Sequence, residues 1–211
     1  NGTATPWFDD ELMLAGRPGV RGVVLPKAER ADEIRAVTAA AASLAVLPLV
    51  ESAAGLAHAQ ELAATPGVVR LVFGSIDLQL DLGLACSDAD LLPYRTQLVL
   101  ASRLADIRKP IDGVCTTLDD PGALAQACAY SYGLGFGGKL CIHPRQVDTV
   151  NASYQPSPEE TAWARRVLEA SARAGGAAVA LDGRMVDLPL VLKAQSIVAE
   201  AAEQPSGLLG R

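Results

Sequence analysis

The sequence predicts an α/β fold built on a parallel sheet wrapped by helices. Apolar, strand-forming runs alternate with helical segments five times. The runs are continuously apolar rather than alternating, as strands buried on both faces are. Each run also ends on a polar side chain: Lys27, Glu51, Asp77, Thr117 and His143, spaced 24, 26, 40 and 26 residues apart.

The elements follow in order. GVRGVVLPK (19–27) is the first strand and ADEIRAVTAAAA the helix after it. AVLPLVES (45–52) is the second strand, and AAGLAHAQELAA a helix closed by the turn Thr65-Pro66-Gly67. VVRLVFGSID (68–77) is the third strand, followed by a long helix over about 90–107. PIDGVCTT (110–117) is the fourth, with a helix over about 121–131, and GKLCIHP (138–144) is the fifth. The last third reads as helical. Ser157-Pro158-Glu159-Glu160 is a helix start, with Ser as N-cap, Pro in the first position and Glu at the capping-box position. Trp163, Val167 and Ala170 then share a face, and Gly175-Gly176 stops the helix. A final helix covers about 187–202, and the tail PSGLLGR reads as frayed.

Polar residues at strand carboxyl ends mark the ligand face of a (β/α)8 barrel and of a doubly wound sheet alike. No strand is followed by G-x-G-x-x-G or a P-loop, which argues against a nucleotide. Five strands leave a barrel three short. The start NGTATPWF reads as mid-loop, so the polypeptide is expected to begin upstream.

Composition narrows the function classes. With 211 residues, 50% hydrophobic and 20% charged, the chain suits one soluble globular domain with a large core. A net charge of −6 and the lack of a basic stripe argue against nucleic acid. The stretch 36–50 is too short for a membrane span and contains Pro48, and no secretory signal opens the chain. Cys86, Cys115, Cys128 and Cys141 form no C-x-x-C pair, and His58 and His143 are the only histidines to join them. Reduced thiols in a cytoplasmic protein fit better than a zinc site.

Glu51 and Asp77 raise the main chemical question, because a lone carboxylate at the end of a buried strand needs a partner. An ion pair with Lys27 or an arginine is one answer. An acid/base pair of the glycosidase kind is a second, but a chain 4% aromatic offers little sugar-binding surface. The third is a hard divalent cation. Two carboxylates without a histidine cluster suit Mg²⁺ better than Zn²⁺. Gly74-Ser75-Ile76 would let backbone N–H groups approach an anion, such as a substrate carboxylate. An ordinary turn explains Gly74 alone equally well.

VESAAG, FGSIDLQLDLG, IDGV, GFGGKLCIHPRQV and DGRMVDLP, in this order, resemble the citrate lyase beta-subunit-like branch of the HpcH/HpaI aldolase superfamily. The resemblance runs from TPWFDDEL to the last helix. It implies a Mg²⁺-dependent (β/α)8 TIM barrel, with its first three strands missing from this chain. Residues 1–150 would be the C-terminal five β-α units, and 151–211 a helical lid or oligomerisation segment. The implied reaction makes or breaks a carbon–carbon bond in citryl-, malyl- or citramalyl-thioesters of coenzyme A or an acyl carrier protein. Glu51 and Asp77 match the metal ligands, and Gly74, Ser75 and Ile76 the backbone that holds the keto-acid carboxylate. His143 and Pro144 lie in the coenzyme A-side loop. Asp187 matches an acid/base residue on a segment typically donated across a trimer interface. The family's arginine would fall just before Asn1. Thr117 stands where an acidic residue is common, and GFGGK where GFDGK is common.

Simpler roles stand beside these. Asp187 can be a helix N-cap, His143-Pro144 a tight turn, and Lys27 a counter-charge for Glu51. Asp9 and Asp81 read as solvated or capping residues, His58 as a surface residue, and Asp112 as hydrogen-bonded to a neighbouring loop. Three other functions remain open: a pyruvate-releasing class II aldolase, a carrier-dependent citrate lyase subunit, and a non-catalytic thioester-binding homologue.

Overall fold

The computed structural model describes residues 2–3, 5–174 and 179–202. Gly175-Gly176 and the PSGLLGR tail lie outside the described residues. The chain divides into two compact units, one ending at Tyr154 and one beginning at Gln155.

The first unit opens with α1 (Phe8–Ala15), then β1 (Gly22–Leu25), α2 (Ala31–Ala40) and β2 (Ala45–Val50). The helix expected over 53–64 is two short ones, α3 (Ala53–Ala57) and α4 (Ala59–Ala64). They are separated by His58, whose Nδ1 lies 2.8 Å from the Glu29 carbonyl oxygen. The strand expected over 68–77 keeps regular pairing only in β3 (Val72–Phe73). Asp77 is therefore not at a strand end. At Gly74 the backbone leaves the extended region (φ −90°, ψ 72°), and α5 (Ser75–Asp81) starts at the next residue.

The remaining helices are α6 (Leu92–Leu104), α7 (Pro121–Leu134) and α8 (Val147–Ser153). A short 3-10 turn at Asp88–Leu91 precedes α6, and Pro93 fits in its first turn, where a missing N–H costs nothing. α7 runs three residues past its expected end and stops at Gly135, whose φ of 103° suits glycine.

β1, β2 and β3 pair in parallel and in sequence order. The strands expected at 110–117 and 138–144 are reduced to single parallel bridges, Val72 with Ile111 and Asp112 with Lys139. Their hydrogen bonds continue the same order: Phe73 N–H to Ile111 O at 2.8 Å, and Asp112 N–H to Gly138 O at 2.8 Å. Five consecutive segments thus lie side by side. Glycines 113, 137 and 138 flank the bridges and interrupt regular strand geometry. The described residues supply a three-stranded sheet and two bridged segments, not a closed eight-stranded barrel. The core beneath the helices includes Ile34, Val46, Val50, Leu62, Phe73 and Leu98.

The second unit contains α9 (Pro158–Arg173), a hairpin of β4 (Val179–Leu181) and β5 (Arg184–Val186), and α10 (Leu188–Ala202). The capping box forms as expected: Ser157 Oγ accepts from Glu160 N–H at 3.0 Å, and Glu160 Oε2 from Ser157 N–H at 2.9 Å. Ala164, Val167, Val186, Ala194 and Ile197 form a separate small core. The antiparallel hairpin corrects the all-helical reading of this region. Its turn residues Asp182 and Gly183 both have positive φ, 51° and 75°. An Asp-Gly pair is the expected sequence for such a two-residue turn.

No described helix is long and apolar enough to cross a membrane.

Candidate functional site

Glu51 directly follows β2, and its side chain is only 6% exposed. Oε1 accepts the backbone N–H of Lys27 at 2.9 Å. Lys27 closes β1 with a left-handed backbone (φ 51°). The contact is thus made by the main chain, with the Lys27 charge acting at longer range. Ser52, the next residue, caps α3: its Oγ accepts from Gly55 N–H at 3.2 Å and donates to Glu29 Oε1 at 2.6 Å.

Gly74 is required by packing. A Cβ there would sit 2.3 Å from Glu51 Cβ and 2.9 Å from Oε2. Its N–H donates to Val50 O at 2.9 Å, which ties the β3 end to the residue before Glu51. Ser75 is buried, Ile76 is 49% exposed, and Asp77 is exposed. All three lie in the first turn of α5, where N–H groups have no acceptor within the helix. From the next segment, Gly113 packs on Ser75: a Cβ on it would lie 2.2 Å from Ser75 Oγ.

Electrostatics joins the two carboxylates. Burial pushes the Glu51 carboxyl above its ordinary value. The Lys27 N–H works against that shift, the Asp77 charge adds to it, and the Lys27 charge opposes it. Glu51 therefore faces a second negative charge. A hard cation accepted by two carboxylates would relieve both the burial and the repulsion. Among the described residues no group of three or more His, Cys, Asp and Glu side chains comes together. An all-oxygen pair that leaves most positions to water and substrate fits Mg²⁺.

The other expected residues have local partners. His143 Nδ1 accepts Arg145 N–H at 3.1 Å and caps the 3-10 turn Pro144–Gln146. Gln146 locks this turn by accepting from Ile142 N–H at 2.9 Å and donating to Cys115 O at 2.8 Å. A cavity of about 220 Å³ lies beside it, lined by Thr117, Asp120, Arg145, Gln146 and Thr149 among others, and neither Glu51 nor Asp77 reaches it. Asp187 belongs to the second unit. It is exposed and accepts Leu190 N–H at 3.2 Å, so the capping role is present. Asp81 also caps, accepting Ala53 N–H at 2.7 Å.

One charged cluster was not read from the sequence. Asp112 is buried between Arg95, whose Nε donates at 2.8 Å, and Lys139, whose Nζ donates to the other oxygen. Its partners are side chains from α6 and from the next segment, not the backbone of a loop. A signal was present: a carboxylate inside PIDGV needs a buried partner for the same reason as Glu51. Lys139, in the next expected strand, was the candidate.

Comparison with known proteins assigns the family. Residues 1–144 match the family model described as HpcH/HpaI aldolase/citrate lyase. A citrate lyase subunit beta-like protein from Deinococcus radiodurans is 34% identical, across 96% of this chain and 74% of its own. A (3S)-malyl-CoA thioesterase from Cereibacter sphaeroides is 31% identical, across 95% of this chain and 72% of its own. Among solved structures, CitE from Mycobacterium tuberculosis in complex with magnesium, acetoacetate and coenzyme A superposes with a TM-score of 0.81 at 32% identity. The superposition covers 96% of this chain and 76% of that one. The α/β architecture with its parallel strands and these matches agree: the chain belongs to the HpcH/HpaI aldolase/citrate lyase family.

Proposed function

We propose that this protein is a Mg²⁺-dependent carbon–carbon lyase acting on a 3-hydroxyacyl-CoA thioester such as malyl-, citramalyl- or citryl-CoA. The observation that carries the reading is the buried Glu51, raised toward protonation beside Asp77 and next to the free amides that open α5. The magnesium and coenzyme A bound in the M. tuberculosis structure support the cofactor and the thioester.

Glu51 and Asp77 would hold the ion. Bound there, magnesium would acidify the substrate's 3-hydroxyl and offset its carboxylate charge. The N–H groups of Ser75 and Ile76 would orient that carboxylate. When the hydroxyl proton passes to water, the oxygen's electron pair would form the keto group and the C2–C3 bond would break, its electron pair going into the enolate of the acetyl thioester. Asp187 would give a proton to the enolate carbon, or take one in the condensation direction. The 143–144 turn would face the coenzyme A side. In this reading the five parallel segments are part of a closed TIM barrel. The second unit acts as a lid or oligomer contact in a cytoplasmic homotrimer, with an acyl carrier protein as an alternative thioester source.

The test is incubation with each CoA thioester and Mg²⁺, followed by detection of acetyl-CoA and keto acid. Magnesium-dependent product supports the reading; no product from any of the three overturns it. The malyl-CoA thioesterase relative favours a second reading, thioester hydrolysis. That reaction would yield the intact hydroxy acid and free coenzyme A, so the same assay separates the two.

A further inference from the structure

The buried charge cluster behind the carboxylate site is connected to it residue by residue. Arg95 lies on the inward face of α6 with Leu98 and Ser102 and is fully buried. All three of its nitrogens are engaged. Nε reaches Asp112 at 2.8 Å, Nη1 the Asp88 carbonyl at 2.6 Å, and Nη2 the two Asp88 carboxylate oxygens at 2.8 and 3.0 Å. The guanidinium carbon also sits 5.3 Å from the centre of the Phe73 ring. Arg95 thus touches two neighbouring segments, at Phe73 and at Asp112.

Each contact lies one residue before a glycine of the site. Gly74 follows Phe73 and packs on Glu51, and Gly113 follows Asp112 and packs on Ser75. Phe73 and Asp112 are covalently joined to these glycines across one planar peptide each, so holding either residue restrains the glycine that follows it. Asp112 is held from three directions. Its carboxylate takes Arg95 and Lys139, its N–H donates to Gly138 O at 2.8 Å, and its carbonyl accepts Leu140 N–H at 2.9 Å. Two cations and two anions complete the set, so it needs no external ion to balance it.

We infer that Arg95 and Asp112 are positioning residues for the metal site. They fix the Gly74 and Gly113 backbones against which Glu51 and Ser75 are seated. This rests on the proposed Mg²⁺ site. Partners outside the ligand shell typically change metal affinity by about 10–100-fold when removed.

The experiment measures Mn²⁺ binding, with Mn²⁺ as a paramagnetic stand-in for Mg²⁺. Free ion is counted by electron paramagnetic resonance at a temperature where each variant is folded by circular dichroism. Asp112→Asn is expected to bind at least about tenfold more weakly than the parent. Leu62→Ala, a core truncation on α4, which supplies no residue of the charge cluster, is expected to lower the melting temperature while leaving affinity within twofold. If Asp112→Asn does not fold, Arg95→Lys carries the same expectation, because it keeps the charge and loses the forked geometry. Unchanged affinity in a folded variant overturns the inference and leaves the metal site standing. An equal loss in Leu62→Ala overturns it too, since the loss would then be general. A parent that binds no Mn²⁺ removes the proposed function together with the inference.

Discussion

The protein carries two kinds of buried carboxylate, and they differ in what surrounds them. Asp112 is enclosed by Arg95 and Lys139, with its charge matched inside the molecule. Glu51 has one backbone N–H, a lysine charge at longer range, and another carboxylate adding to its cost. The first arrangement is complete and structural. The second is incomplete, and a cation would complete it. A buried carboxylate is therefore informative through its unmatched charge more than through its burial.

The comparison breaks most visibly in activity. Glu51→Gln and Asp77→Asn are each expected to lower Mg²⁺-dependent turnover of the CoA thioesters by more than about 10³-fold, since the ion supplies several kcal/mol of stabilisation. Full activity in either variant would remove that residue from the metal site.

Stability should show the reverse ranking. Asp112→Ala leaves two buried cations without their shared anion and is expected to cost about 3–5 kcal/mol in a urea titration. Glu51→Gln, without metal, keeps an acceptor for the Lys27 N–H and loses the repulsion with Asp77. It is expected to stay within about 1 kcal/mol of the parent. Equal losses would mean that the two carboxylates are alike.

Asp187 can be divided into its two roles. Asparagine caps a helix about as well as aspartate, so Asp187→Asn should keep stability, whereas Asp187→Ala should lose about 0.5–2 kcal/mol. Both should lose hydrogen exchange at the methyl group of acetyl-CoA, followed by mass spectrometry in D₂O. Exchange that persists in Asp187→Asn leaves the residue as a cap alone.

The smallest effect is the pH dependence of the proposed metal site. A raised carboxyl pKa means that the folded protein holds its proton where the unfolded chain has lost it. Metal-free stability therefore falls as pH rises through a window beginning near the ordinary glutamate value, about 4.3. In that window Mn²⁺ affinity should climb with pH, and each ion bound should displace a proton. Calorimetry in two buffers of different ionisation enthalpy measures that proton. Affinity that is flat from acid to neutral pH would place Glu51 outside the site.

Much of the architecture was legible because apolar period and length report burial directly. The order of strands and helices in the first unit and the Ser157 capping box came from local pattern. Strand lengths did not. An apolar run at 68–77 is equally compatible with a strand or with a two-residue strand and a helix. Regular pairing stops after Phe73, where the backbone turns at Gly74 and α5 begins. The 182–183 hairpin was legible through Asp-Gly and was passed over because helical segments flank it.

By itself the sequence determined that a carboxylate within or ending a buried apolar run, as Asp112 and Glu51 are, needs a positive partner, because the cost of an unmatched charge is local and unavoidable. Only the tertiary structure decided which carboxylate found one. Arg95 is 17 residues from Asp112 in the chain and Lys139 is 27. Bringing them together depends on how α6 and the next segment pack on the sheet. Coulomb energy falls with distance in space and takes no account of separation along the chain. That packing left Asp112 matched and Glu51 exposed to a second negative charge.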